Sequence, residues 1–120
     1  MNKKFNYVDS FVVPVPKKKI ADYKKIAVKM GKFCVAHGAL QYCEAKADDV
    51  KPGHITSFPQ SVKLKKDEIV VFSWVVYKSK AQRNKIWKKM MSSDLLKDIE
   101  KMPFDGKRMF WGGFTPLVRL

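Results

Sequence analysis

Thiols, imidazoles and acids are all scarce in this chain. Two cysteines, Cys34 and Cys43, are too few for a disulfide framework; a pair of buried thiols in a reducing compartment is the expectation. The two histidines, His37 and His54, do not combine with each other or with the cysteines at the spacing of a zinc site, so no metal is expected. No nucleophile elbow occurs. The glycine pair Gly112-Gly113 is followed by no helix, which excludes a phosphate-binding loop. No run approaches 18 apolar residues, so a membrane span is not expected. Met1-Asn2-Lys3-Lys4 carries the lysines of a signal peptide, but the next segment is interrupted by Asp9, Pro14 and Pro16 and runs into Lys17-Lys18-Lys19. One cytoplasmic domain over residues 1–120 is the resulting expectation.

The shortage of acid leaves a net charge of +14, which suggests anionic partners such as nucleic acid, acidic lipid or phosphorylated metabolites. The placement of the lysines weakens that reading. From Lys18 to His37 the apolar residues Ile20, Tyr23, Ile26, Ala27, Met30, Phe33 and Cys34 step at helical spacing. Lys18, Lys25, Lys29 and Lys32 form the opposite stripe, which a core-packed helix must turn to water. Gly38 suits the end of that helix, and His37 complements its negative pole.

What the chain has in plenty is two-sided strand. Ile69-Val70-Val71-Phe72-Ser73-Trp74-Val75-Val76-Tyr77 is apolar at both odd and even positions, so both faces of the strand should be covered. Phe5 to Val15 reads as an earlier strand ended by Pro14 and Pro16, and Leu40 to Asp48 as a second. Residues 49–66 are irregular and expected to hold a short strand, a hairpin or a lid over a pocket. Ser79 and Gln82 make a capping box for a second helix, which carries Ile86, Trp87, Met90 and Met91 inward. Arg83 also falls on that apolar side. Leu95 to Glu100 adds a further turn or two, Pro103 stops it, and Asp105-Gly106 is a tight turn. Arg108 to Val118 is the last strand, where Gly112-Gly113 marks a bulge or a close approach.

Strand, helix, strand, strand, helix, strand is the α+β, ferredoxin-like βαββαβ order, a four-stranded antiparallel sheet with both helices on one face. Two helices cannot cover the other face. Phe11, Val13, Trp74 or Tyr77, and Trp111 or Phe110 left in water would forfeit on the order of 5–10 kcal/mol, comparable to the stability of a small domain. The expectation is a homodimer whose sheets pack face to face.

Each strand carries one polar residue in apolar company: Asp9, Glu44, Ser73 and Arg108. If Asp9 and Glu44 share the face away from the helices, they line the interior of the dimer. There an unpaired carboxylate holds its proton more tightly and acts as a general base toward an acidic C–H or a phenol. Ser73 joins them as a ligand-binding candidate, and Arg108 either pairs with a carboxylate or holds an anionic substrate. The alternative is a satisfied polar network that fixes strand register. His54 reads as an exposed loop residue or, functionally, as a proton shuttle over the pocket. Trp74, Trp87 and Trp111 read as core or interface aromatics. Stacking a flat ligand is the functional alternative, with Trp74 of the central strand as the binding candidate.

Several longer stretches, Tyr7-Val8-Asp9-x-Phe11-Val12-x-Pro14-Val15-Pro16, Asp48-Asp49-Val50-Lys51-Pro52-Gly53, Thr56-Ser57-Phe58-Pro59-Gln60 and Met102-Pro103-Phe104-Asp105-Gly106-Lys107-Arg108-Met109-x-x-Gly112-Gly113-Phe114, resemble the YbaA-like family. That family is a domain of unknown function in the dimeric α/β-barrel superfamily. The resemblance runs from about Tyr7 to Leu120 and implies a ferredoxin-like protomer and a barrel made by two sheets, but no activity. The superfamily includes haem-degrading and quinone-forming monooxygenases, lactone isomerases and stress-responsive barrels. An enzymatic role would by that analogy be a cofactor-independent monooxygenase-like or isomerase-like one. Haem-degrading members use a histidine on or after the second helix; here no histidine follows His54 and Glu100 lies near that place, so no cofactor is expected. Two roles stay open: a small organic ligand held by the sheet, or a non-catalytic dimer binding nucleic acid or another polyanion through its lysine-rich helices.

Overall fold

The computed structural model describes residues 5–97 and 102–120. Strands β1 (Tyr7–Pro16), β2 (Gln41–Lys46), β3 (Glu68–Tyr77) and β4 (Phe110–Phe114) form one antiparallel sheet in the order β2-β3-β1-β4. Helix α1 (Ile20–Ala36) connects β1 to β2, and α3 (Lys80–Met91) connects β3 to β4. A four-residue helix, α2 (Phe58–Ser61), lies between β2 and β3. Apart from α2, the element order is the one expected from the sequence, and the protomer is ferredoxin-like. Glu100 and the end of the expected Leu95–Glu100 turn lie outside the described residues. No helix among the described residues is long and apolar enough to cross a membrane.

Helix α3 starts where its cap lies: the Ser79 hydroxyl accepts the Gln82 N–H at 3.1 Å. Gln82 Oε1 reaches back to the N–H of Lys78 at 2.9 Å, one residue earlier than the usual reciprocal contact. Helix α2 repeats the device, with Ser57 Oγ accepting from Gln60 N–H and Gln60 Oε1 accepting from Gly53 N–H at 2.8 Å. A capped segment containing Pro59 favours a helical turn over a strand, so of the alternatives expected for the irregular stretch neither the short strand nor the hairpin forms, and it holds α2.

Pro14 does not end β1, which runs through to Pro16. The Lys17 N–H bonds Asp67 O in continuation of the β1–β3 register, so odd residues of β1 face β3 in hydrogen bonding. The missing N–H of Pro14 therefore points toward the β4 side, beyond the last pair, Val12 with Phe110. A proline is tolerated there because no ladder bond is lost.

The register sorts side chains onto two faces. Tyr7, Asp9, Phe11 and Val13 share the helix-covered face with Val71, Ser73, Val75, Tyr77, Tyr42 and Glu44. Val8, Ser10, Val12, Val70, Phe72, Trp74, Val76, Cys43, Phe110 and Phe114 lie on the other. One end of that second face is covered by the chain itself, where Val62 packs on Val12 and Val70, and Phe58 stands edge-on to Phe72. The other end is open: Phe110 and Phe114 are 46% and 59% exposed. Of the residues expected to need a partner's cover, Phe11, Val13 and Tyr77 are on the helix side and Trp74 and Phe110 on the open side.

Candidate functional site

Between the sheet and the two long helices is a cavity of about 220 Å³. Its floor contains a row that crosses the sheet: Glu44 on β2, Ser73 on β3, Phe11 on β1 and Trp111 on β4, each opposite the next in register. The row is polar at the β2 end and aromatic at the β4 end. Over the polar end, Tyr23 of α1 and Tyr42 of β2 both donate to Glu44, Tyr23 to Oε1 in a short contact and Tyr42 to Oε2 at 2.5 Å. Burial pushes both phenols well above their ordinary range, and the Glu44 charge adds to it, so each keeps its proton. Over the aromatic end, Trp87 of α3 stacks on Trp111 with centroids 6.2 Å apart and tilts against Phe11 at 6.0 Å. Every methionine among the described residues lines the space: Met30, Met90, Met91, Met102 and Met109. Flexible thioethers fit themselves to a ligand's outline.

Ser73 is 4% exposed and lines the cavity. No lysine, arginine or histidine among the described residues lines the cavity.

Asp9 sits one row away and does not reach the cavity. It is fully buried and takes four donors: Tyr77 Oη at 2.8 Å, Trp87 Nε1 at 3.0 Å, and Arg83 through Nε at 3.0 Å and Nη2 at 3.0 Å. Burial and the Asp9 bond together push Tyr77 far above the ordinary phenol range. Burial, with the Asp9 charge behind it, pushes the Cys34 thiol up to about 11, so this cysteine is no nucleophile. The guanidinium also lies 5.1 Å from the Tyr7 ring and 5.6 Å from that of Trp111. Gly113 makes room for this: a Cβ there would stand 2.1 Å from Tyr7 Oη and 2.6 Å from Arg83 Nη2. The glycine pair thus marks a close approach, as the sequence suggests. Since Trp87 both bonds Asp9 and walls the cavity, the network fixes the aromatic end of the site.

The expected constellation of Asp9, Glu44, Ser73 and Arg108 therefore divides. Asp9, Glu44 and Ser73 share a face, but it is the helix-covered one, not the face turned away from the helices. Arg108 precedes β4 and belongs to a separate cluster. Its Nη1 and Nη2 grip Glu68 at 2.7 and 2.6 Å, its Nε donates to Asp105 at 2.9 Å, and Nη1 also reaches the carbonyls of Val62 and Lys63. With its donors engaged, Arg108 clamps the 62–68 segment onto the sheet end and is not placed to hold a substrate. Trp74 is on the open face, where its indole N–H donates to Gln41 at 3.0 Å. His54 is exposed in the loop after β2 and does not line the cavity. The sequence reading assigned no partner to Arg83 and no role to Tyr23. An arginine on the apolar side of a helix, and a tyrosine on the apolar stripe of another, were the available signals.

The Arg108 bonds hold Glu68 below the usual carboxylate range, against its burial. A folded-state value below the unfolded one gives stability that is full above about pH 4.3 and is lost as pH falls. Glu68→Gln is accordingly expected to cost about 2 kcal/mol at pH 7, with the difference from wild type shrinking in urea melts as the pH is lowered into the acid range. A difference that stayed constant from pH 7 to pH 2 would contradict the charged clamp.

The sequence family described as "Protein of unknown function (DUF1428)" matches residues 6–106. The uncharacterized protein YbaA of Escherichia coli strain K12 is 45% identical over 113 residues, 93% of this chain and 97% of its own, and YbaA of Shigella flexneri gives the same figures. Among solved structures, a dimeric ferredoxin-like protein from an uncultured marine organism aligns with a TM-score of 0.61 at 11% identity, over 99% of this chain and 95% of that one. A second protein of the same description gives 0.59 at 11% identity, over 96% and 99%. At such identity these two show the fold alone. With its whole-length match to YbaA and its ferredoxin-like protomer, the chain belongs to the DUF1428 family of proteins of unknown function.

Proposed function

We propose that the protein is a homodimer that binds a small organic ligand in the cavity between sheet and helices. The observation that carries the binding reading is a largely apolar cavity of about 220 Å³ whose polar groups, Glu44 with its two tyrosines and Ser73, gather at one end of the floor. An apolar cavity of about 150 Å³ takes up benzene, so the space suits a single substituted ring. Asp9 is saturated and outside the cavity, so among the described residues Glu44 is the one carboxylate that lines it, and the site is assigned to binding and not to turnover.

Three observations support the homodimer. In a chain where 30% of residues are charged, the open face from Val8 to Val12, from Val70 to Val76 and across β4 carries no charge. Leu117, Val118 and Leu120 extend past β4 and are 97%, 70% and 84% exposed, with Arg119 tied to Phe5 O and Asn6 Oδ1 beside β1. The two solved structures of this fold are described as dimeric. A cytoplasmic location belongs to the same reading, with both cysteines free. A polyanion-binding role would draw on Lys25, Lys29, Lys32, Lys85, Lys88 and Lys89, all exposed. Those are the positions any core-packed helix turns to water, and nothing further favours that role.

Titrating toluene into protein labelled at its methionine methyl groups tests the cavity. The signals of Met30, Met90, Met102 and Met109 are expected to shift together, saturably, with millimolar affinity or better. Unmoved methionine signals at toluene saturation would show that the space takes no ligand.

A further inference from the structure

We infer that the ligand of this cavity is an uncharged, single-ring compound bearing a hydroxyl group, a phenol-type molecule with its oxygen at Ser73 and Glu44 and its ring toward Phe11 and Trp111. The inference rests on the binding reading above and adds the chemical class.

The polarity of the floor sets the orientation. Glu44 and Ser73 are neighbours on paired strands, in a non-hydrogen-bonded pair where side chains approach most closely. A carboxylate has about four acceptor positions; Tyr23 and Tyr42 use one on each oxygen, which leaves capacity for a third donor. The Ser73 hydroxyl can both donate and accept. A ligand hydroxyl that donates to Glu44 and accepts from Ser73 pairs with both in one step. The other end of the row offers ring faces: Trp111 lies 25° from the plane of Phe11, with centroids 6.0 Å apart.

Charge excludes the alternatives. An anion would enter a space that no cation among the described residues lines, against the Glu44 carboxylate, and its desolvation would go uncompensated. A cationic amine would find one carboxylate already shared by two phenols, and the Arg83 guanidinium 5.6 Å from the Trp111 ring on which it would rest. A purely apolar ring fits the space but makes no use of Ser73 or Glu44.

The test is a calorimetric titration of the intact protein with four probes of nearly equal size: phenol, toluene, benzoate and benzylamine. Phenol is expected to bind roughly 3- to 10-fold more tightly than toluene, the worth of one net hydrogen bond, and benzoate and benzylamine more weakly than either. Ser73→Ala is expected to abolish most of the phenol advantage, and continued binding of toluene by the variant shows that it is folded and its cavity intact. Equal affinity for phenol and toluene, or tighter binding of either charged probe, overturns the assignment of the ligand class while the cavity remains a binding site. Failure of toluene itself to bind overturns the binding reading and this inference with it.

Discussion

Asp9→Ala is expected to destabilise the fold by about 3–5 kcal/mol, a loss of on the order of 10–20 °C in melting temperature. The reason is what the carboxylate leaves behind. Its removal strands the Arg83 guanidinium, the Tyr77 hydroxyl and the Trp87 indole N–H, all of which point at a fully buried position. No water reaches that position freely, so each donor bears its own desolvation cost. Asp9→Asn keeps an acceptor for Tyr77 and Trp87 but leaves Arg83 without its counter-charge, and should lose a smaller share. Both are read by urea unfolding monitored by circular dichroism. A loss below 1 kcal/mol for Asp9→Ala would mean that the network does not hold α3 on the sheet.

The second large effect is at the open face. Trp74 stands at its middle, opposite Ser10 on β1 and Cys43 on β2, with Phe72 beside it. If a second copy covers this face, Trp74 is an aromatic anchor, and a central anchor contributes about 2–4 kcal/mol to association. Trp74→Glu also puts two like charges near a two-fold axis. The expected result is a dimer constant weakened by at least about 100-fold, seen as conversion to monomer at micromolar concentration in sedimentation velocity. The circular dichroism spectrum should stay that of the folded chain, because Trp74 belongs to neither helix-side cluster. A wild-type protein that sediments as a folded monomer at these concentrations would refute the homodimer outright.

Both effects depend on which face of the sheet meets the helices, and that is where the sequence is least explicit. Strand alternation sorts residues into two sets but does not name the covered one. In β3 both sets are apolar, so hydrophobicity gives no answer, and Asp9 and Glu44 are assigned to the wrong side by that route. The deciding information is in the helices. Arg83 on the apolar side of α3 needs a buried acid, and Tyr23 on the apolar stripe of α1 needs an acceptor. Asp9 and Glu44 are the mid-strand acids that answer them.

Other features are legible because their causes are local. The Ser79 cap, the Asp105-Gly106 turn and the crowding at Gly113 each follow from one or two residue types at a fixed place. Arg108 is only partly legible in this way: Asp105 is a local partner three residues before it, but Glu68 and the Val62 carbonyl come from a segment that only the fold brings near. The cavity is likewise a property of packing, foreshadowed only by the concentration of methionines on α3 and after it.

The central claim is that the space over Ser73 is a ligand site. Its most direct measurement is anomalous diffraction from crystals of the wild-type protein soaked in 4-bromophenol. The account predicts one bromine peak inside the cavity near Phe11 and Trp111, with the phenol oxygen within hydrogen-bond distance of Ser73 and Glu44. Bromine found only on the outer surface, or a cavity that stays free of the compound at saturating concentration, would contradict it.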